Sequence, residues 1–173
     1  NNTLTNAVGG TLNLSSSTDP IQYYTGTATL NNAGTLNQTQ TGDHGINSGV
    51  TFNNTGTVNV TAGTLLIRGN GSIDGNYNIT AGAVCNYIDG TRTLASGWTN
   101  TGTGTVTISG GAINVSGSVT TNSNLTFINA VYLNGPGTLI TSEEKDVEAP
   151  VVSGIAFHRD EAEIVGPMKL SLD

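Results

Sequence analysis

The sequence predicts an all-β protein built as a right-handed parallel β-helix, and three observations carry that expectation. A short phrase, a glycine followed by alternating apolar and polar residues, recurs along most of the chain at steps of about seven or eight residues. Within each phrase the second and fourth residues after the glycine are usually apolar, as in Leu12 and Leu14, Val58 and Val60, Val106 and Ile108, or Ile113 and Val115. That period of two describes a strand with one dry and one wet face. No stretch places apolar residues at helical spacing for three turns, because Gly and Asn interrupt every candidate.

Taken in order, the strands begin at GTLNL (10–14), GTATL (26–30), GTLNQ (34–38) and GVTF (49–52). GTVNVTAGTLLI (56–67) holds the phrase twice. GAVCNY (82–87), GTRTL (90–94), GTVTI (104–108), GAINV (111–115) and GTLI (137–140) continue it. Thr57, Asn59 and Thr61 fall on the wet side, where Thr suits a pleated surface. The corners TAG, SGG, VSG and NTG bend the chain in one sense. Asp74-Gly75 and Asp89-Gly90 are pairs that hairpin turns favour, but most corners lack such a pair. The spacing therefore assembles about three phrases into a coil of roughly twenty residues, and coils stacked about 4.8 Å apart make a rod. Each buried Val, Leu or Ile contributes roughly 1.5 to 3 kcal/mol, opposed by the entropy of ordering a glycine-rich backbone. Asn at corners tolerates left-handed dihedrals and can hydrogen-bond along the stack.

Composition changes near residue 142. Before it the charged residues are Asp19, Asp43, Asp74, Asp89, Arg68 and Arg92; after it the short remainder holds eleven, from Glu143 to Asp173. Two regions are expected: a repeat domain over 1–142, and an acidic linker with orphan strands over 143–173. The net charge of -7 speaks against nucleic acid, whose binding rests on Lys and Arg neutralising phosphates. No segment is long and apolar enough to predict a membrane span. The chain opens on Asn1 without a signal peptide, which reads as a mature or excised piece of a longer precursor.

FNNTGTVNVTAGTLLI (52–67), YNITAGAVCNYIDGTRTLASG (77–97) and GTGTVTISGGAINVSGSV (102–119) resemble the repeats of large bacterial surface proteins of the filamentous-haemagglutinin and autotransporter-adhesin type. The resemblance covers residues 1 to about 142. It implies a right-handed β-solenoid, secretion to the bacterial cell surface, and a role as an extracellular stalk or adhesin. The tail, DVEAPVVSGIAFHRDEAEIVGPMKLSLD, resembles the opening of the immunoglobulin-like modules that follow such solenoids. VVSGIAF and MKLSL would be its first strands, and two strands are not stable alone. They are expected either to begin a truncated module or to dock on a partner, with Val151, Val152, Ile155, Phe157, Leu170 and Leu172 as candidate assembly residues.

The unusual residues raise specific chemistries. Asp43 and His44 in GDHG lie where polysaccharide-degrading β-helices place such groups, but glycoside hydrolysis needs convergent carboxylates, and the separations of Asp43 from Asp19 and Asp74, 24 and 31 residues, do not both match one coil. No catalytic residues, cofactor or metal are expected, and the chain reads as a non-enzyme. GNGSIDGNY (69–77) has one acid, Asp74, against the tandem acids of a calcium β-roll. Cys85 reads as a small inward hydrophobe. Arg92 is in register with inward positions and is expected to snorkel at a corner beside Asp89. Thr-x-Thr pairs at 27, 55, 91 and 105 raise ice binding, yet their uneven gaps spoil the regular array that ice requires. Asn-x-Ser/Thr triplets, such as those at Asn13 and Asn59, are no more frequent than composition yields. Tyr23, Tyr24 and Trp98 are the candidate carbohydrate-binding residues. Expected partners are neighbouring modules, other chains stacked end to end, or surface glycans.

Overall fold

The computed structural model describes residues 2–121 and 125–141 and two further strands, Ile155–Phe157 and Glu163–Val165. The chain winds as a parallel β-solenoid of about six turns, with no helix among the described residues. Every named strand pairing is parallel, and a coil returns to the same face after 19 to 26 residues.

Each coil contributes to three faces in turn. Face one stacks Asn2–Asn6, Ala28–Asn32, Val50–Asn54, Gly71–Ile73 and Thr91–Ala95. The second halves of the long strands Thr105–Ser116 and Leu125–Asn134 extend it, and then Ile155–Phe157. Face two stacks Thr11–Leu14, Thr35–Gln38, Thr57–Val60, Asn76–Ile79 and Thr99–Asn100. A separate sheet of Ser118–Thr121, Thr138–Thr141 and Glu163–Val165 follows it. Face three stacks Asp43–Ile46, Thr64–Ile67, Val84–Ile88 and the first halves of the two long strands. Ile21 bridges Ile46 at its near edge.

The alternation read from the sequence becomes inward ladders. On face two Leu36, Val58 and Tyr77 lie over one another, and on face three Ile46, Ile67, Tyr87 and Ile108 do the same; all are buried. Wet-side residues alternate with them along each strand, as Thr57 and Asn59 do beside Val58 and Val60. The two Asp-Gly pairs make coil corners rather than hairpins. Asp89 (φ 48°) and Gly90 (φ 76°) take left-handed dihedrals and carry the chain from Val84–Ile88 on face three to Thr91–Ala95 on face one. Elsewhere glycine is required by proximity: a Cβ on Gly69 would lie 1.8 Å from the carbonyl oxygen of Val50 in the coil before it.

The orphan strands of the tail do not stand apart from the solenoid. Ile155–Phe157 pairs with Val131, Tyr132 and Leu133, and Glu163–Val165 pairs with Thr138, Leu139 and Ile140, both in parallel. The first overlaps VVSGIAF. The second falls upstream of MKLSL, and Val151, Val152, Leu170 and Leu172 lie outside the described residues.

Candidate functional surfaces

The inner lining of the solenoid carries two polar devices. The first is an asparagine ladder at the corner between faces one and two. Asn6, Asn32 and Asn54 are buried and stacked in register. Asn6 Nδ2 donates to Asn32 Oδ1 at 2.7 Å, and Asn32 Nδ2 donates to Asn54 Oδ1 at 2.7 Å. Each amide also donates to a corner carbonyl: Asn6 to Thr35 at 2.9 Å, Asn32 to Thr57 at 3.2 Å, and Asn54 to Asp74. A tight corner turns backbone carbonyls inward, and the amides satisfy them where water cannot. The column stops at Ile73, where the register brings an aliphatic residue against Asn54.

The second device centres on Arg92, and it corrects the expectation of a snorkelling corner residue. Arg92 points inward and is 2% exposed. Its Nη2 donates to the carbonyl oxygens of Ile67 at 2.7 Å and Ile88 at 3.1 Å, and its Nη1 donates to the carbonyl of Asp89. The guanidinium carbon lies 5.3 Å from the centre of the Tyr87 ring, within cation–π range. Asp89 therefore serves Arg92 through its backbone oxygen. The stacked neighbour of Arg92 in the preceding coil is Gly71, which has no side chain to compete for the interior. The alternation of apolar positions revealed that Arg92 was inward; the donors' ability to reach three corner carbonyls was not visible in one dimension.

Around Arg92 the core holds Tyr77, Tyr87, Cys85 and Trp98, all buried. Tyr77 meets Tyr87 edge to face at 6.2 Å between ring centres and Trp98 at 6.5 Å. Burial pushes the Tyr77 and Tyr87 hydroxyls well above their ordinary range and raises the Cys85 thiol from 9.0 to about 12. All three groups are held neutral more strongly in the folded chain than in the unfolded one. Their contribution to stability is then fully present below about pH 9 and is lost as pH rises through the folded values. The urea midpoint should stay level with respect to these groups to about pH 9 and fall in stronger alkali. Tyr87→Phe should flatten that fall; an unchanged profile would show that the cluster does not govern alkaline unfolding.

The carbohydrate candidates separate. Trp98 is 3% exposed and offers no ring face to a sugar outside, because its strand entry turns it onto Tyr77. Tyr24 is 95% exposed. Tyr23, 38% exposed, donates its hydroxyl to the Gly26 carbonyl at 2.8 Å and lies flat over Gly49, where a Cβ would meet the ring at 2.2 Å. Asp43 is exposed, whereas His44 is buried with its ring nitrogens 3.3 Å from the Thr18 oxygen and 2.9 Å from the Thr41 oxygen. Asp19 is engaged by Arg68 at 3.0 Å across Gly45. Asp74 lies over Gly97, and among the described residues no three of His, Cys, Asp and Glu converge as metal ligands.

At the first coil the lumen is open. Leu4 stacks inward on Leu30, yet is 49% exposed because Asn2–Asn6 is the edge of its sheet. With Ile21, Ala28, Leu30 and Val50 it lines a cleft of about 230 Å³.

No family model matches the chain, and no solved structure matches it. A stretch of 34 residues is 59% identical to an aspartate kinase of Pseudomonas putida, and 35 residues are 57% identical to an aspartokinase of Pseudomonas aeruginosa. Each match takes in 19% of this chain and 8% of the kinase. So small a share carries neither the fold nor the activity of those enzymes to this chain.

Proposed function

We propose that this chain is a structural rod, an extracellular stalk segment of a bacterial surface protein that spaces or presents other modules and stacks end to end with further coils. The observation that carries this reading is the unbroken parallel ladder on face one, which runs from Asn2–Asn6 through every coil to Ile155–Phe157. A stack in which each coil is held by the next resists bending, and its length is set by coil number alone. The stacking part rests on the edge strand Asn2–Asn6, on which a further coil, of this chain or of another, can pair. Unpaired strand edges and half-exposed Leu4 favour contact with another β-coil.

Electron microscopy of the purified chain across a concentration series tests it. Stiff rods that lengthen into fibres with concentration are expected. Compact, non-elongated particles at every concentration would overturn the rod. Release of reducing ends from a polysaccharide panel, lost in Asp43→Asn, would replace it with a hydrolase.

A further inference from the structure

The outward positions of face two form two straight rows that the sequence spacing conceals. In the strand register Thr11, Thr35, Thr57, Asn76 and Thr99 are direct neighbours, and so are Asn13, Asn37, Asn59 and Asn78. The rows are two residues apart on the first four strands, so their groups repeat about every 4.8 Å along the axis and about 6.6 Å across it. Thr-x-Thr pairs along the chain do not reveal this array, because three of its strands carry Thr-x-Asn, the next carries Asn-x-Asn, and unequal corners hide the period.

The array is held rigid. Asn37 Nδ2 donates to Asn13 Oδ1 at 2.9 Å, and Asn59 Nδ2 donates to Asn37 Oδ1 at 2.8 Å. Thr99 Oγ1 donates to Asn76 Oδ1 at 3.0 Å. The threonines are stiff at χ1. In a chain of net charge -7, no charged and no aromatic side chain stands in either row.

We propose that face two binds the surface of ice. A neutral grid of short hydroxyl and amide groups can engage all its ranks at once only with a partner that is itself neutral and periodic in two directions. Water in an ice plane meets both conditions, and its oxygens repeat at spacings close to those of the grid. Each hydroxyl and amide both donates and accepts, as a lattice water requires, while the threonine methyls exclude disordered water between the ranks. Crystalline polysaccharide is the other periodic partner, but its sugar faces are apolar and favour aromatic platforms, which these rows lack. This inference stands apart from the rod reading, since rods form whether or not the face binds ice.

The test is ice-affinity partitioning and thermal hysteresis of the full chain beside Thr35→Tyr and Thr57→Tyr, which raise a ring out of the grid. Thr105→Tyr on face three is the bulk control, with circular dichroism confirming folding. The parent and the control should enter growing ice and shift its freezing point, and the face-two variants should lose severalfold in both. Thr57→Val, which keeps shape and removes the hydroxyl, serves if the tyrosine variants misfold, and it too should lose. Exclusion of the parent from ice would overturn the proposal, as would equal loss in the face-three control. Sedimentation with microcrystalline cellulose or chitin without entry into ice would assign the grid to a polysaccharide instead.

Discussion

Arg92→Ala is expected to destabilise the coils it joins by about 3 to 5 kcal/mol, since it combines a cavity with buried carbonyls left unpaired. The guanidinium donates to the carbonyls of Ile67, Ile88 and Asp89, which belong to two successive coils. It is the stitch between them. Arg92→Met keeps much of the volume and loses all three bonds, so it separates the two terms, and a cost of about 2 kcal/mol is expected for it. Burial lowers the affinity of Arg92 for its proton, yet an arginine stays charged at any pH the fold survives. The fold thus tolerates a buried cation whose partners are carbonyl dipoles and the Tyr87 ring rather than a carboxylate. Urea titration followed by hydrogen exchange at residues 84–95 would check this. A loss below about 1 kcal/mol for Arg92→Ala would mean that the carbonyls find water when the side chain is removed.

The second large effect belongs to the asparagine ladder. Asn32→Leu removes the middle member and leaves the Asn54 oxygen and the Thr57 carbonyl without their donor, while Asn6 loses its acceptor. A cost of about 2 to 4 kcal/mol is expected, because stranded buried polar groups cost more than the bonds contributed. Replacing Asn6, Asn32 and Asn54 together by Leu should cost clearly less than the three single changes added, since no amide then remains to be stranded. Equal costs would show that the three amides act independently and that the corner carbonyls alone set the energy. The comparison bears on the stalk reading as well, because the ladder ties three coils at one corner.

Much of this molecule was legible in one dimension because a β-coil is a local object. Val58, Val60, Val106 and Ile108 declare an inward face by alternation alone, and all four are buried in the solenoid. Glycines at the corners announce where the chain turns. The inward place of Arg92 was legible too, but its solution was not: the carbonyls it binds are contributed by Ile67, a coil earlier, and by Ile88 and Asp89 at the turn before it. Trp98 illustrates the reverse case. A lone tryptophan beside a glycine looks available to a sugar, and only the packing of Tyr77 beneath the corner shows where its ring goes.

The sequence by itself determined the strand period, the absence of helical patterning, the coiled rather than hairpin arrangement and the identity of the inward residues, because each depends on neighbours a few positions apart. Tertiary structure alone decided the register between coils, and with it everything that depends on residues about twenty apart. Corners of unequal length shift the spacing from 19 to 26 residues, so no fixed period in the sequence reveals which side chains stack. The Asn6, Asn32 and Asn54 column, the Arg92 stitch and the Thr-x-Asn grid of face two exist only once backbone hydrogen bonding has set that register, since it places groups from distant coils within reach of one another.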